Sequence, residues 1–411
     1  MGIAADTIDT ALASILRPGQ EIVIGQALGT PTQLLTALPR HLDRLQGSRI
    51  LVGWVLSDFP ALPGVNIDSF FPSGPFGSEA GLAQRNARYL RTTLYELASA
   101  FDRGTRPVDV VLAQAAPLRE GAYSLGVTLD FVHPAAMRAQ HVVLEINPHT
   151  PRTGPYSTIA AAPHVIALEA GEGPAEASGA MRAGQEALAA NLLPWIPDQA
   201  TLEFGIGQWF PPLVSQLAVS RRRLRVHTGQ VGKWVRQFID AGALDDEAPI
   251  VGTGAAGDAD FYQYIDGNPR IELRPATLTH DPATLSRLPL FRAMNSVFEV
   301  DLLGQANSEL APNGALGGIA GLPDFARGAR ANPEGLSIVV LASTARGQSR
   351  IVPRVACPIP SLASGEIDVI VTEQGSADLR GLAPADRAAA IIAVADEAHR
   401  PALAQAARAL P

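Results

Sequence analysis

Residues 224–242 read LRVHTGQVGKWVRQFIDAG, and this stretch decides the fold class. Apolar and basic residues at 224–226 predict the end of a strand, which runs into a tight His-Thr-Gly-Gln turn at residues 227–230. From Val231 onward, apolar residues recur at spacings of three and four, a period typical of a helix. Gly242 then ends the segment as a helix C-cap would. A strand, a turn and a helix in this order predict an α/β protein, in which such turns lie where ligands bind.

Three other loops in the second half of the chain repeat this construction. Gly205, Gly304 and Gly375 each follow a predicted strand, as Gly229 does. Because the carboxyl ends of parallel strands share one edge of a sheet, four such loops can converge there. Glycine lets backbone N–H groups approach a ligand closely, which suits a phosphate or a developing oxyanion. The sequence therefore predicts a ligand-binding edge built from loops.

Apolar runs predict buried strands in both halves of the chain. The clearest are Glu21–Ile24, His141–Ile146 and Thr201–Phe204. A further strand is predicted at Ser124–Asp130, which reads SLGVTLD. The Gly- and Pro-rich residues 57–80 are interpreted as an irregular connection.

Length and composition indicate two globular domains. A chain of 411 residues exceeds one ordinary core, and 47% apolar with 18% charged residues is a globular balance. The segment AGEGPAEASGAMR at residues 170–182 is small and flexible, as a linker would be. We therefore predict an N-terminal α/β domain at residues 1–180 and a C-terminal α/β domain, carrying the glycine loops, at residues 181–411.

Charge and cysteine content exclude several classes of protein. The net charge is −8 and no long run of Lys or Arg occurs, which argues against a nucleic-acid partner. No apolar stretch reaches the ~18 residues of a membrane span, so no membrane partner is expected. The single Cys357 rules out a disulfide framework and a cysteine-rich zinc site, and a reducing cytoplasm is the simplest location. The eight histidines show no metal-ligand spacing, so we predict no metal.

The turn after the strand at 201–204 begins with Gly205, Ile206 and Gly207. A dinucleotide-binding fingerprint would need a third glycine at the position of Phe210, so that kind of site is not indicated. A turn that binds an anion or an oxyanion at a helix N-terminus fits these residues. The chain contains neither the Gly-x-x-x-x-Gly-Lys-Ser/Thr loop of nucleotide-binding proteins nor a Gly-x-Ser-x-Gly nucleophile elbow.

Charged residues in the other loops leave alternatives open. Glu299, Glu309 and Glu373 lie in or just after predicted strands, and a salt bridge or a cap is the favoured role for each taken alone. Arg346 precedes a glycine in a basic loop. Phosphate contact and simple solvation are equally compatible with that arginine.

Several long motifs carry a family resemblance that covers nearly the whole chain. The second half contains FGIGQWFPPLV, LRVHTGQV, FEVDLLGQANSE, GGIAGLPDFARGA, SIVVLASTARGQSRIVP and VTEQGSADLRGLAP. The first half adds VDVVLAQAAP, YSLGVTLDF and EINPHTPRTG. In content and order these motifs resemble the acetyl-CoA hydrolase and acyl-CoA:carboxylate CoA-transferase family, the class I CoA-transferases.

The resemblance implies two open α/β/α domains of the CoA-transferase type, with an acyl-CoA bound between them. In this family a glutamate attacks the thioester, and a glutamyl-CoA thioester then passes CoA to a second carboxylate, so that one difficult step becomes two easier ones. Coenzyme A is therefore expected as substrate and product, with no tightly bound cofactor. A carboxylate is the expected acceptor, and the resemblance leaves a homodimer open.

The resemblance also assigns roles to particular loop residues. Residues 206–210 match the turn whose backbone N–H groups stabilise the oxyanion. The predicted catalytic turn comprises His227, Gly229 and Gln230. The predicted substrate and CoA site comprises Gly205, Ile206, Gly207, Gln208, Trp209, Phe210, Phe298, Asn307, Gly317, Gly321 and Arg346.

The catalytic turn departs from the family pattern at one position. The family reads His-Thr-Glu-Met where this chain reads His-Thr-Gly-Gln, so Gly229 stands at the position of the nucleophilic glutamate. Without a carboxylate there, the glutamyl-CoA intermediate cannot form at that position. One alternative is acyl-CoA hydrolysis by a water held near His227, Gln230 or Glu373. The others are CoA transfer through a relocated carboxylate, such as Glu299 or Glu309, and a non-catalytic CoA-binding or partner subunit.

Overall fold

The structure, a computed structural model, describes residues 5–56, 58–162, 164–169, 184–205 and 209–409. The predicted linker at 170–182 lies outside these residues, and so does the boundary that we predict between the domains. Ile206, Gly207 and Gln208 of the predicted oxyanion turn lie outside them as well. The domain limits therefore stay a prediction.

Short strands and helices alternate along the first part of the chain. They are α1 (Ala5–Ile15), β1 (Glu21–Ile24), α2 (Thr32–Ala37), α3 (Leu42–Leu45), β2 (Arg49–Val52), β3 (Asn66–Ser69), α4 (Glu79–Gln84), β4 (Ala87–Tyr89), α5 (Leu94–Asp102), β5 (Val110–Pro117), β6 (Tyr123–Ser124), α6 (Val132–Ala136), β7 (His141–Ile146), β8 (Thr158–Ile159) and β9 (Val165–Glu169).

The alternation continues after residue 184. The elements are α7 (Gln185–Leu192), β10 (Thr201–Phe204), α8 (Pro211–Ser220), β11 (Arg225–His227), β12 (Gln230–Gly232), α9 (Val235–Asp240), β13 (Ile250–Gly252), β14 (Gly254–Ala256), α10 (Ala259–Ile265), β15 (Ile271–Leu273), α11 (Ala276–Thr279), α12 (Pro282–Leu285), β16 (Phe291–Ser296), β17 (Glu299–Asp301), β18 (Ala306–Asn307), α13 (Leu322–Ala331), β19 (Leu336–Val340), β20 (Thr344–Ala345), β21 (Gln348–Ser349), β22 (Ile351–Val352), β23 (Val369–Thr372), β24 (Gly375–Asp378), α14 (Pro384–Ala393) and α15 (Arg400–Ala407).

The chain divides into two compact units. Unit 1 comprises Met1–Ser178, Val251–Thr279 and Gly314–Ala320. Unit 2 comprises Gly179–Ile250, His280–Asn313 and Gly321–Pro411. Two segments from the second half of the sequence thus belong to unit 1.

Unit 1 is built on an open sheet of nine strands. Strands β4, β3, β2, β1, β5, β7 and β9 are adjacent in that order and parallel, and β6 and β8 add an antiparallel extension at the end of β5. The strand order reverses between β1 and β5, as in doubly wound α/β folds. A parallel sheet covered on both faces requires apolar strands, and the runs EIVI of β1 and HVVLEI of β7 are buried over nearly their whole length.

Strand β3 lies within residues 57–80, where the sequence predicted an irregular connection, so that prediction is wrong. The strand is held by Asp68, whose side chain is fully buried. Its Oδ1 accepts from Arg49 Nη1 at 3.1 Å and Arg88 Nε at 2.7 Å, and its Oδ2 accepts from Arg106 Nη2 at 2.9 Å. Although burial raises it, the hydrogen bonds from Arg88 and Arg106 bring the pKa of Asp68 below its ordinary value. Partners distant in sequence therefore specify this strand.

The strand predicted at Ser124–Asp130 is also shorter in the structure. Strand β6 ends at Ser124, and Gly126 has a φ of +65°, a left-handed conformation that interrupts an extended strand. A Cβ at residue 126 would lie 2.1 Å from Thr150 Cγ2, so glycine is required there for space as well.

Unit 2 contains a second open sheet. Strands β11, β10, β16, β19 and β23 are parallel and adjacent in that order, and β24 pairs antiparallel with β23. The strand order reverses between β10 and β16, again as in doubly wound folds. Helix α13 packs beside β16, where the rings of Phe325 and Phe291 lie 6.4 Å apart between centroids. The predicted α/β fold is confirmed.

The stretch at 224–242 folds as predicted at its two ends but not in its middle. Strand β11 and helix α9 are present, and Gly242 has the left-handed φ of +60° expected of a C-cap. Between them lies strand β12, so the helix begins at Val235 and not at Val231. Val231 is β-branched and Gly232 follows it, and both residue types have weak helix propensity. The spacing of apolar residues alone does not take this into account.

Candidate active site

Strand β10 leads into Gly205 at the point where the strand order of unit 2 reverses. The N–H of Gly205 donates to the carbonyl of Met294 in β16 at 2.8 Å. A Cβ at residue 205 would lie 2.4 Å from Oδ1 of Asn295, so glycine is required. In open α/β sheets ligands bind outside the carboxyl ends of the strands at such a reversal. The predicted glycine loop is thus at the edge where a ligand is expected.

A buried carboxyl group supports this turn from within the sheet. Glu203 is 1% exposed and accepts hydrogen bonds from Asn295 Nδ2 at 2.7 Å and Met294 N at 3.1 Å. Burial raises the pKa of Glu203 well above its ordinary value, against the lowering effect of these two bonds. Glu203 therefore acts as a positioning residue, because it holds the side chain of Asn295, which lies against Gly205.

The hydroxyl of Thr228 joins the ends of β10 and β11. Its Oγ1 donates to the Phe204 carbonyl at 3.1 Å and lies 3.3 Å from the Phe204 N–H, which donates to it. Thr228 is fully buried, and the backbone ladder between these strands covers only their first residues. The Thr228 side chain thus extends the hydrogen bonding between β10 and β11 as far as the predicted catalytic turn.

Two buried histidines lie close to the predicted catalytic turn. His227 ends β11, and His280 precedes α12 with its ring centroid 4.3 Å from that of Phe325. Burial, together with the nearby charge of His227, lowers the pKa of His280 to about 3. His280 is therefore neutral near pH 7. A base this weak cannot remove a proton from water efficiently, but a neutral imidazole can hydrogen-bond one.

Two glycines of the predicted site border His280 and differ in the space around them. A Cβ at Gly321 would lie 2.4 Å from His280 Nε2, which leaves no room for a side chain. A Cβ at Gly229 would lie 3.7 Å from Phe325 Cε2 and 4.0 Å from His280 Nε2, which are ordinary contacts. Gly229 is half-buried and its φ is not left-handed. The described structure therefore accommodates a side chain at position 229.

Asn307 lies in a small sheet formed by β17, β18 and β22, and Phe298 immediately precedes β17 and donates its N–H to the Asn307 carbonyl at 2.7 Å. Fully buried Asn307 donates from Nδ2 to Glu299 Oε2 at 3.0 Å, and its Oδ1 accepts from the Glu309 N–H at 3.0 Å. Glu309 in turn accepts from Ser361 Oγ at 2.8 Å. The two carboxylates are thus engaged in a buried polar network that holds this sheet, which does not favour either as a relocated nucleophile.

Arg346 occupies the tip of the hairpin between β20 and β21. Its φ of +53° and the +76° of Gly347 are the paired positive angles of a type I′ turn. Arg346 is exposed, so its guanidinium is accessible to a ligand anion. Nearby in sequence, Ser343 donates its N–H (3.0 Å) and its hydroxyl to the carboxylate of Glu373, which ties the ends of β19 and β23 together.

Aromatic residues after β10 form a packed cluster. The ring of Phe204 lies 5.0 Å from that of Phe210 and 5.0 Å from that of Trp234. Phe210 and Trp209 are buried, 5% and 9% exposed. Their positions are explained by core packing behind the turn.

The remaining predicted residues are distributed over both units. Gln230 is half-buried in β12, and Gly317 is buried in unit 1. Gly321 belongs to unit 2, as do the other described residues of the predicted site. The individual roles of these residues stay predictions.

Sequence reasoning missed three residues that shape this edge: Glu203, His280 and Phe325. Glu203 stands inside an apolar strand, where a lone buried acid is itself an informative signal. Phe325 lies in a motif that supports the resemblance but was not assigned a role. Nothing local distinguishes His280, because its neighbours come from distant parts of the sequence.

Neither a metal-binding cluster nor a membrane-spanning helix is present among the described residues. No group of three or more His, Cys, Asp or Glu side chains among them is arranged to hold a metal ion. No helix within the described ranges is both long enough and apolar enough to cross a bilayer.

Comparison with known proteins gives consistent matches. The family model for the acetyl-CoA hydrolase/transferase C-terminal domain matches residues 257–407. The 4-hydroxybutyrate coenzyme A transferase of Clostridium kluyveri is 29% identical over 93% of this chain and 92% of its own length. An acetyl-CoA hydrolase of Candida albicans is 33% identical over 51% of this chain and 39% of its own length. The crystal structure of a 4-hydroxybutyrate CoA-transferase from Porphyromonas gingivalis superposes with a TM-score of 0.80 at 28% identity, covering 98% of this chain and 96% of that one.

The fold and the glycine-rich strand ends define an α/β enzyme with its ligand edge at the carboxyl ends of a parallel sheet. The matches make the assignment specific. Residues 257–407 match an acetyl-CoA hydrolase/transferase C-terminal domain, and nearly the whole chain is similar to CoA-transferases, so the protein is an enzyme of the kind that these relatives represent.

Proposed function

We propose that this enzyme binds an acyl-CoA at the carboxyl edge of the unit 2 sheet and hydrolyses its thioester with water. The observation that carries this proposal is the space at Gly229. That position accepts a side chain without a clash, has none, and lies beside the neutral ring of His280. Where the family resemblance expects a nucleophilic carboxylate, this chain offers room for a water molecule.

The chemistry follows from the groups at this edge. Water attacks the carbonyl carbon of the thioester, the C–S bond breaks, and the proton of the water goes to the thiolate, giving a carboxylic acid and CoA. His280 is too weak a base to accept that proton, so it orients the water by hydrogen bonding. By resemblance, backbone N–H groups of residues 206–210 stabilise the oxyanion that forms on the carbonyl oxygen.

Transfer to a carboxylate acceptor is expected to be slow in this enzyme. A transferase of this family holds CoA on a glutamate as a thioester between two half-reactions, after the first acyl group has left as a carboxylate, and that storage requires a carboxylate at position 229. Coenzyme A enters as part of the substrate and leaves as a product, so no tightly held cofactor is needed. A carboxylate acceptor, a homodimer and a cytoplasmic location stay predictions from the sequence.

The first experiment compares hydrolysis with exchange. Butyryl-CoA and acetate are incubated with the wild type, and free CoA and acetyl-CoA are quantified by liquid chromatography and mass spectrometry. We expect free CoA without acetyl-CoA. Rapid formation of acetyl-CoA by the wild type would contradict the proposal. CoA binding by calorimetry with neither product would instead support the non-catalytic alternative.

The second experiment restores the missing group. We expect Gly229→Glu to gain acetyl-CoA formation, and we expect acyl-CoA followed by borohydride to inactivate it by reducing a glutamyl thioester at residue 229. Gly229→Gln is the matched control, because it fills the same space with a side chain that is not a nucleophile. Labelling of residue 229 is read from the mass of the peptide that contains it. Equal exchange by both variants would show that residue 229 does not carry the reaction.

A further inference from the structure

A cavity of about 350 Å³ lies in unit 2, away from the loops at Gly205 and Gly229. Gly304 borders it, because a Cβ at that residue would lie 2.8 Å from Arg387 Nη1. The wall of the cavity includes residues just ahead of β23 and residues that follow the antiparallel strand β24, together with Arg330 near the end of α13. These positions lie at the amino ends of the parallel strands β19 and β23. The candidate active site lies at the carboxyl ends of the same sheet, and a strand of five residues separates two edges by about 16 Å. The cavity is therefore a separate feature.

The wall of this cavity carries an excess of positive charge. Arg330, Arg380 and Arg387 line it, and Asp368 is the one carboxylate that does so among the described residues. Arg330 pairs with Asp368, which also accepts from the N–H of Ser337 at 2.9 Å. With three arginines and one aspartate, the wall has two positive charges more than negative ones. Asp378, which is outside the wall, pairs with Arg380 from one side.

Arg387 is the most unusual of the three arginines. Its Nη1 donates to the carbonyls of Ser364 at 2.6 Å and Leu303 at 3.4 Å, and its Nη2 donates to the Leu379 carbonyl at 3.3 Å. Within the described ranges no carboxylate forms an ion pair with it. Burial, and then the positive charge of Arg330, lower the pKa of Arg387. Bringing like charges together in this way costs stability that a bound anion would recover.

Apolar side chains complete the cavity. Leu303, Ile367, Leu379, Leu382 and Pro384 contribute to the lining, and Leu382 is 38% exposed at the surface. A site for a bare inorganic ion does not require so much apolar surface, whereas ligand pockets for small organic molecules begin at about 300 Å³ and are mostly apolar. The lining therefore fits a molecule with an organic body and an anionic head.

We propose that this cavity binds a phosphate monoester of a small organic molecule, with the phosphoryl oxygens on the three arginines and the organic body on the leucines and the proline. A phosphate monoester carries −1.5 to −2 charges near neutral pH. It would compensate the positive charge that the single aspartate of the wall leaves on the three arginines. Guanidinium groups bind phosphate oxygens through paired N–H donors. The ligand would occupy a site at the edge of the sheet opposite to that of the acyl-CoA.

The test uses phenyl phosphate as the probe for the whole site. Inorganic phosphate probes the arginines alone, and phenol probes the apolar lining alone. Isothermal titration of the full-length wild type is expected to show saturable binding of phenyl phosphate and much weaker binding of inorganic phosphate or phenol. Arg380→Gln removes one exposed cation from the wall and is expected to weaken binding about tenfold. Leu382→Glu places a negative charge at the surface of the cavity and is expected to abolish binding.

Arg40→Gln is the matched control for the arginine. Arg40 and Arg380 are similarly exposed, 46% and 47%, and each pairs with one partly exposed aspartate. The control is expected to bind phenyl phosphate as the wild type does. Absence of binding by the wild type would overturn the proposal, and so would equal affinity in the wild type, Arg380→Gln and Leu382→Glu.

Discussion

At the scale of single residues, glycine occurs in this site for two different reasons. Gly205 and Gly321 are glycine because a Cβ would overlap with Asn295 or His280. Gly229 is glycine although neither space nor backbone angle demands it. Where the fold leaves a position free, the chemistry of the site can decide the side chain, and we therefore expect residue 229 to determine which reaction the enzyme performs.

This contrast predicts different stabilities for two alanine variants. Gly321→Ala forces a Cβ to within 2.4 Å of His280 Nε2 and is expected to cost about 1–3 kcal/mol of unfolding free energy. Gly229→Ala meets no clash and restricts the unfolded chain, so its unfolding free energy is expected to stay the same or to rise by about 0.4–1 kcal/mol. Urea unfolding followed by circular dichroism measures both variants. A loss in Gly229→Ala as large as that in Gly321→Ala would contradict the geometry of this site.

At the scale of elements, the local pattern of apolar and polar residues predicted the strands that depend on that pattern. It did not predict strands that depend on distant partners. The runs EIVI, HVVLEI and TLEF became β1, β7 and β10 at their predicted limits. The first two are mostly apolar, and TLEF alternates polar with apolar residues, and both patterns are typical of strands. Strand β3 was missed because its polar sequence NIDS is stabilised by three arginines from elsewhere in the chain.

The candidate site divides in the same way. The turns at Gly205 and Gly229 were predicted, because a glycine after a strand pattern is visible in the sequence. The loop at Gly304 does not join them: it follows β17 of the small sheet and lies beside Arg387. The positions of Glu203 and His280 behind the two turns were not predicted, because buried contacts between distant residues place them there. Positioning groups of this kind become apparent only when the fold brings their partners together.

The junction of β10 and β11 gives a prediction at this scale. Thr228→Val removes the hydroxyl that binds both backbone groups of Phe204, and leaves those buried groups without this partner. We expect a loss of about 1–3 kcal/mol in unfolding free energy, together with reduced activity because the turn that follows loosens. Thr228→Ser keeps the hydroxyl and is expected to retain most of the stability. Urea unfolding and the rate of CoA release measure the two effects, and a larger loss in Thr228→Ser than in Thr228→Val would assign the role to the methyl group instead.

At the scale of the whole molecule, buried titratable groups couple the stability of each unit to pH, and Asp130 and His280 do so in opposite directions. In unit 1, Asp130 is 3% exposed and accepts from Gln26 Nε2 at 2.6 Å and from the N–H groups of Phe131 and Val132. Burial raises its pKa from 3.8 to about 6, against the lowering effect of these bonds. Between these two values the unfolded chain loses the proton while the folded chain keeps it. The free energy of unfolding of unit 1 therefore falls by about 2 kcal/mol as pH rises from 4 to 6, out of about 3 kcal/mol over the whole titration.

In unit 2, His280 has the opposite effect. Its pKa is lowered from 6.5 to about 3, so the unfolded chain takes up a proton below pH 6.5 while the folded chain stays neutral. The stability that this histidine contributes is complete above pH 6.5. It is lost as pH falls, by about 1.4 kcal/mol for each pH unit down to pH 3.

Variants that cannot titrate at these positions are therefore expected to change the two units with opposite dependence on pH. The stability of the wild type relative to Asp130→Asn should fall as pH rises from 4 to 6, whereas its stability relative to His280→Gln should fall as pH drops below 6.5. Hydrogen exchange with mass spectrometry measures this unit by unit, with peptides from β1 and β5 reporting on Asp130 and peptides from β10 and β16 on His280, after correction for intrinsic exchange rates. Because comparison with a variant cancels every other titrating group, parallel pH profiles for a variant and the wild type would show that the group in question titrates alike in the folded and unfolded chain.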